Sequence, residues 1–305
     1  MQFMPIQPNP VGDPESVIDQ QPRMKSRRMW VESILRIIKS KTSFVGFCII
    51  VILIITAILA PVIATHSPTD QSIIDRYQAP SGAHWLGTDE LGRDIFSRII
   101  YGTRISIQIG LITVGISMTI GVLLGGIAGY FGRWADQLIM RLIDILMAFP
   151  SILLAIALVA VLGPSLRNAM IAVGIVGIPQ FARIVRSAVL SVKETEYIEA
   201  ARAIGAKHKR ILMQHVLPNC LAPIIVQATL GIGTAILDAA GLSFLGLGAQ
   251  PPTPEWGAML SDGRSALQTA PWVVAFPGIA IFLVVLGFNL FGDGLRDALD
   301  PRLKE

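Results

Sequence analysis

The chain has 305 residues, 52% of them hydrophobic and 15% charged, and its mean hydropathy is +0.61. Soluble domains carry roughly a quarter charged residues, so the composition excludes an ordinary soluble protein and indicates one built into a lipid bilayer. The formal net charge of +4 does not indicate nucleic acid as a partner, because the basic residues fall in short runs beside apolar segments rather than on one soluble face.

The Pro- and Gln-rich start up to about Gln21 reads as a tail, and 1–42 is expected to lie in the cytoplasm. The first apolar run begins too late and runs too long for a cleaved signal peptide, so it is expected to stay as an anchor. A helix needs about 20 apolar residues to cross a bilayer. Phe44 to Ala64, Ile105 to Tyr130 and Trp272 to Phe291 meet that without a charge. Ile145 to Leu162 is slightly short unless extended back through Asp144, and Leu221 to Leu247 is interrupted only by Asp238. Ala169 to Ala182 becomes long enough only if Arg183 and Arg186 sit at a helix end, where long cations reach the headgroups. The expectation is an all-α polytopic membrane protein with six transmembrane helices.

Lys and Arg concentrate in the tail, near Arg133, around Glu199 and at the C-terminus, which places both termini in the cytoplasm. The segment from Thr65 to Thr103 is then external, although it holds three arginines among five acids. Gly121, Gly125 and Gly129 repeat every fourth residue, a stripe along which another helix can approach closely. Pro150, Pro179, Pro223 and Pro277 lie in or beside spans, where neighbours must satisfy the carbonyls they free. Cys48 and Cys220 have no metal-ligand spacing and read as small core or lipid-facing residues.

Between the fourth and fifth spans lies EAARAIGAKHKRILMQHVLPN, Glu199 to Asn219. Ser191 with Glu194 fits a capping box, so a helix is expected from there to a C-cap at Gly205. A second short helix should end at Leu217, before Pro218. Ala200, Ala201 and Gly205 leave little bulk at this turn, and Glu199 offers an anion. The residues alone leave two readings open: a docking knob for another protein, or an amphipathic elbow drawn to anionic lipid by Lys207, Lys209 and Arg210.

The pattern at Glu199, Ala200, Ala201, Gly205, Leu217 and Pro218 resembles the EAA loop of ABC importer membrane subunits. His215 stands where that pattern usually has an aliphatic residue. Three further stretches, HWLGTDELGRDIFSRIIYGTRISI from His84 to Ile107, LGLGAQPPTPEWGAMLSDGR and FNLFGDGLRDALDPRL, resemble C-type permeases of the dipeptide, oligopeptide and nickel importer family. The resemblance implies a type I ABC importer transmembrane fold in a bacterial inner membrane. It implies a first span and outer segment over 43–102, a shared core over 103–293 containing a coupling loop at 191–218, and a cytoplasmic tail over 294–305. As partners it implies a B-type permease, two cytoplasmic ATPases seated on the loop, and an extracytoplasmic solute-binding protein. The implied cargo is di- or oligopeptides, with glutathione or nickel chelates as alternatives.

Two outer stretches carry candidate contacts with a docked protein or with substrate. Asp89, Arg93 and Asp94 lie in a turn-rich stretch before the second span, with Arg93 and Asp94 near enough for local pairing, and a structural cap over the outer membrane face is favoured over direct substrate contact. Pro251, Pro252 and Pro254 hold Glu255 and Trp256 at interface level, where Trp commonly anchors. Within the spans Asp238 is the candidate pathway residue, since a membrane acid must face protein or water, and Gln227 and Asn289 are weaker candidates.

No G-x-x-x-x-G-K-[ST] run, H-E-x-x-H helix or nucleophile elbow occurs, so neither a resident cofactor nor a catalytic site is expected. Transport energy must come from another subunit. A proton-coupled secondary transporter would need paired ionisable residues and repeat symmetry beyond the single Asp238. A membrane-anchored scaffold would explain the elbow but not the Gly and Pro usage within the spans.

Overall fold

The computed structural model describes residues 40–299. Nearly all of the expected 1–42 tail and the last six residues lie outside the described residues. Among the described residues the architecture is helical, with one isolated bridge between Thr88 and Asp94. Five helices are long and apolar enough to cross a membrane: α1 (Lys41–Ile63), α2 (Ile95–Phe131), α5 (Leu166–Val192), α7 (His208–Phe244) and α9 (Trp272–Leu299). Between α2 and α5, α3 (Arg133–Met147) and α4 (Ser151–Leu162) form a pair bent by 91° that makes a sixth crossing if counted as one span. Two short helices complete the set, α6 (Glu196–Ala203) and α8 (Trp256–Gly263).

Residues 145–162 are therefore not one straight span. Pro150 cannot continue a helix begun upstream, because it lacks the N–H and disfavours helical geometry at Phe149. The chain turns there and restarts at Ser151.

The segment with the weakest apolar signal became the most enclosed helix. α5 is the least apolar of the five and has the largest buried share, whereas α1 is the most apolar and has the smallest. A helix packed against protein needs little lipid compatibility. The two arginines that interrupted it find acids on α3: Arg183 Nη2 donates to Asp144 Oδ1 at 2.6 Å and Arg186 Nη2 to Asp136 Oδ2 at 2.6 Å.

α2 and α5 share the most extensive helix contact in the molecule, and the glycine stripe causes it. A Cβ on Gly121 would strike Phe181, one on Gly125 the Ala182 carbonyl, and one on Gly129 the Arg186 carbonyl at 2.9 Å. On the other side, α1 packs on α9 and α2. Pro61 in α1 removes the donor for the Ala57 carbonyl, and Arg104 of α2 supplies one through Nε while its Nη2 reaches Ile58 O at 3.2 Å. That is how a proline is tolerated inside a membrane helix.

Candidate functional site

Three regions hold the residues singled out from sequence: the elbow between α5 and α7, a cavity between helices, and the loops at the opposite end.

At the elbow, α5 runs through Val192, so Ser191 lies inside its last turn and the expected capping box does not form. Val185 and Val189 are fully buried, and this packing carries the helix past the local signal. α6 starts instead after Thr195, whose hydroxyl donates to Val192 O at 2.6 Å. Its other end closes as a Schellman motif: Gly205 N donates to Arg202 O at 2.9 Å and Ala206 N to Ala201 O at 3.1 Å, with Gly205 at φ +81°. Only glycine holds that conformation without strain.

The expected stop at Pro218 is absent. A π-helical turn, Ile211–Val216, and a 3-10 turn, Leu217–Cys220, lead directly into Leu221–Phe244, so α7 is continuous from His208. Pro218 sits at the start of the 3-10 turn, where a missing N–H is least costly. Asn219 Nδ2 ties the turn by donating to His215 O at 2.6 Å and Tyr197 Oη at 3.1 Å.

Ile198, Ile211, Val216 and Cys220 are fully buried and pack with Tyr130, Val185 and Val189, rooting the elbow on the ends of α2 and α5. Tyr130 Oη lies 3.0 Å from His208 Nδ1, and Lys193 Nζ donates to Gly129 O at 3.0 Å. The opposite face is open. Glu199, Ala200, Gly205 and Pro218 are exposed, Ala201 and Leu217 are half-buried, and Ile204 at the tip is 85% exposed. The arrangement is a rigid knob whose tip carries small residues, Glu199 and the bare Ile204 side chain, flanked by exposed Glu196, Arg202 and Lys207.

A cavity of about 320 Å³ lies between α2, α4, α5 and α7. Gln227 and Asp238 both line it, and sequence reasoning missed their polar companions Thr113, Ser117, Gln180 and Thr234. Thr113 and Ser117 are four residues apart, one turn of the same helix face, a signal that was available. Asn289, half-buried on α9, is outside this lining. Gln227 also lines a second cavity of about 520 Å³ that reaches Asn219 and Arg296. One side chain thus joins a space beside the elbow to the space holding Asp238.

At the opposite end, all five candidate contact residues are buried: Asp89 3%, Arg93 2%, Asp94 2%, Glu255 2% and Trp256 1% exposed. Arg93 does not pair with Asp94. Its Nε donates to Asp89 Oδ2 at 2.6 Å and its Nη2 to Asp262 Oδ2 at 3.4 Å, while Arg98 Nε lies 3.6 Å from the same Asp89 oxygen. Asp94 caps α2, accepting from Ser97 N at 2.8 Å. Glu255 caps α8, accepting from Gly257 N at 3.0 Å and Ala258 N at 2.8 Å. Burial pushes the Glu255 carboxyl above its ordinary range, against the opposing pull of those two donors and Ser243. Trp256 is not an interface anchor: it packs against Gly102, and its Nε1 donates to Ile99 O at 3.2 Å. Gly87 and Gly92, at φ +79° and +72°, press against Gln78 and Ser72 and close the loop over the network.

Comparison with known proteins agrees with this architecture. Residues 121–305 match the family described as binding-protein-dependent transport system inner membrane component, and residues 28–80 match the N-terminal TM domain of oligopeptide transport permease C. The dipeptide transport system permease protein DppC of Alkalihalophilus pseudofirmus is 58% identical over 90% of this chain and 90% of its own. The glutathione transport system permease protein GsiD of Pectobacterium atrosepticum is 50% identical over 91% of this chain and 93% of its own. A solved structure of the MetNI methionine ABC transporter shares the fold at a TM-score of 0.55 and 20% identity, covering 67% of this chain and 97% of that one. With its knob, its interhelical cavities and a match over more than half its length, the chain belongs to the binding-protein-dependent transport system inner membrane components, the permease family of ABC importers.

Proposed function

We propose that the chain forms half of the translocation pathway of an ATP-driven importer for dipeptides or short oligopeptides. It pairs with a related permease, takes its energy from two ATPases seated on the elbow, and receives cargo from a solute-binding protein at the opposite end. The elbow then faces the cytoplasm, with both termini on the same side.

The observation that carries this reading is the elbow's division into a buried root and an exposed small-residue tip. A lipid-bound amphipathic helix would bury an apolar face in the membrane. Here Ile198 of α6 is already buried among Tyr130, Val185, Val189 and the start of α7, and a surface of small residues with charges of both signs is left, which suits a protein cleft. Closure of the ATPases would bias the helices between inward-open and outward-open arrangements. Asp238 and Gln227 are the proposed pathway residues, and Asn289 is a weaker one. Asp89, Arg93, Asp94, Glu255 and Trp256 support the docking face from beneath rather than touching cargo.

Peptide cargo is favoured by the closeness to the dipeptide permease, and the glutathione permease supports a second reading. Glu199→Lys or Gly205→Val in the reconstituted transporter should abolish substrate-stimulated ATP hydrolysis and uptake while the chain remains folded. Normal coupling in both variants would overturn the assignment. Competition between labelled dipeptide and glutathione separates the two cargo readings.

A further inference from the structure

Two of the chain's four histidines meet at the end opposite the elbow. His66 follows α1, His84 lies in the loop before α2, and their rings stack with centroids 4.7 Å apart. Both turn Nδ1 toward the same oxygen of Asp94, His84 at 2.9 Å and His66 at 3.8 Å from Oδ1. One ligand atom from each of the three residues falls within 4.8 Å of the others.

We propose that His66, His84 and Asp94 bind a zinc ion that fastens the segment between α1 and α2 to the first turn of α2. Zinc bonds of about 2.0–2.2 Å in a tetrahedron put ligand atoms roughly 3.3 Å apart, and the two measured contacts bracket that spacing. Small side-chain rotations admit the ion. Asp94 is 1% exposed at its side chain, and its Oδ2 is already fixed by Ser97 N, which leaves Oδ1 to coordinate. Hydrogen bonding of a ligating carboxylate by its surroundings is a regular part of such sites. The imidazoles bind in neutral form. His84 exchanges its contact with Asp94, and His66 its 3.0 Å contact with the Thr65 hydroxyl, for the metal. Two imidazoles and one carboxylate select zinc over magnesium or calcium, which prefer all-oxygen sets. His66 is 41% exposed at its side chain, so water can fill the fourth position. The site stands independently of the cargo and of the transport cycle.

The test is zinc binding to the purified full chain in lipid nanodiscs, tag removed and pre-treated with chelator, with cobalt(II) as the optical probe. One equivalent should bind, raise the unfolding temperature and give the intense visible bands of tetrahedral cobalt. His66→Ala and His84→Ala should each weaken binding by more than about 100-fold, beyond the range typical of losing an outer-shell partner. His208→Ala and His215→Ala should leave it unchanged. His66 is half-exposed, so its variant tests the site even if the loop fails to fold without His84. Absence of stoichiometric binding, or affinity retained in the folded His66→Ala chain, would overturn the proposal.

Discussion

The two ends of the molecule treat charge in opposite ways. At the loop end Asp89, Arg93 and Arg98 are almost wholly buried and, with the partly exposed Asp262, form ion pairs within the chain, although Arg98 Nε, 3.6 Å from Asp89 Oδ2, makes no hydrogen bond. At the elbow Glu199, Lys207, Lys209 and Arg210 are all exposed, while the knob's buried root is a mainly apolar cluster with the Tyr130 hydroxyl against His208. A buried charge without its partner is expensive, so the loop end must be complete before anything docks on it. The elbow holds its shape by apolar packing and a glycine turn, and its charged surface stays available.

Substitutions at the two ends should therefore fail differently. The largest loss of stability is expected at the loop end: Arg93→Ala leaves Asp89 and Asp262 without their closest cation and should cost about 3–5 kcal/mol, seen as a lower unfolding temperature and less chain in the membrane. Between the ends, Gly125→Leu drives a side chain into the Ala182 carbonyl. Overpacking of that kind costs about 1–3 kcal/mol, and the same thermal assay should show it. At the elbow's root, Tyr130→Phe removes only the contact with His208, about 0.5–1.5 kcal/mol. At its tip, Glu199→Lys should leave the unfolding temperature unchanged and act on ATPase coupling alone. If the tip variant destabilised the chain as much as the loop variant, the contrast between the ends would be broken.

Much of the helical layout was legible because apolar length reports lipid exposure directly. It was least legible where protein replaces lipid: the Ala169 to Ala182 segment looked weakest since its arginines are neutralised by Asp136 and Asp144, acids far away in the chain. Local signals were overruled in two places. The capping box at Ser191 lost to the burial of Val185 and Val189, and the stop at Pro218 was absorbed by a π-helical turn. The knob was readable as a motif because its small residues lie close together in the chain. The polar lining beside Asp238 was not, since Thr113, Gln180 and Thr234 come from three helices. Nor was the meeting of His66, His84 and Asp94, which depends on how two loops fold back over the start of α2.

α2 links both ends in one piece. With 37 residues it is about 56 Å long at 1.5 Å per residue, nearly twice the roughly 30 Å hydrocarbon thickness. Its first turn carries the Asp94 cap and its last carries Tyr130 against the knob. α5 follows it over most of that length, from Ile105 beside Leu166 to Gly129 against Arg186. The charged loops and the knob are therefore built on one continuous helix, and no joint lies between the two ends it carries.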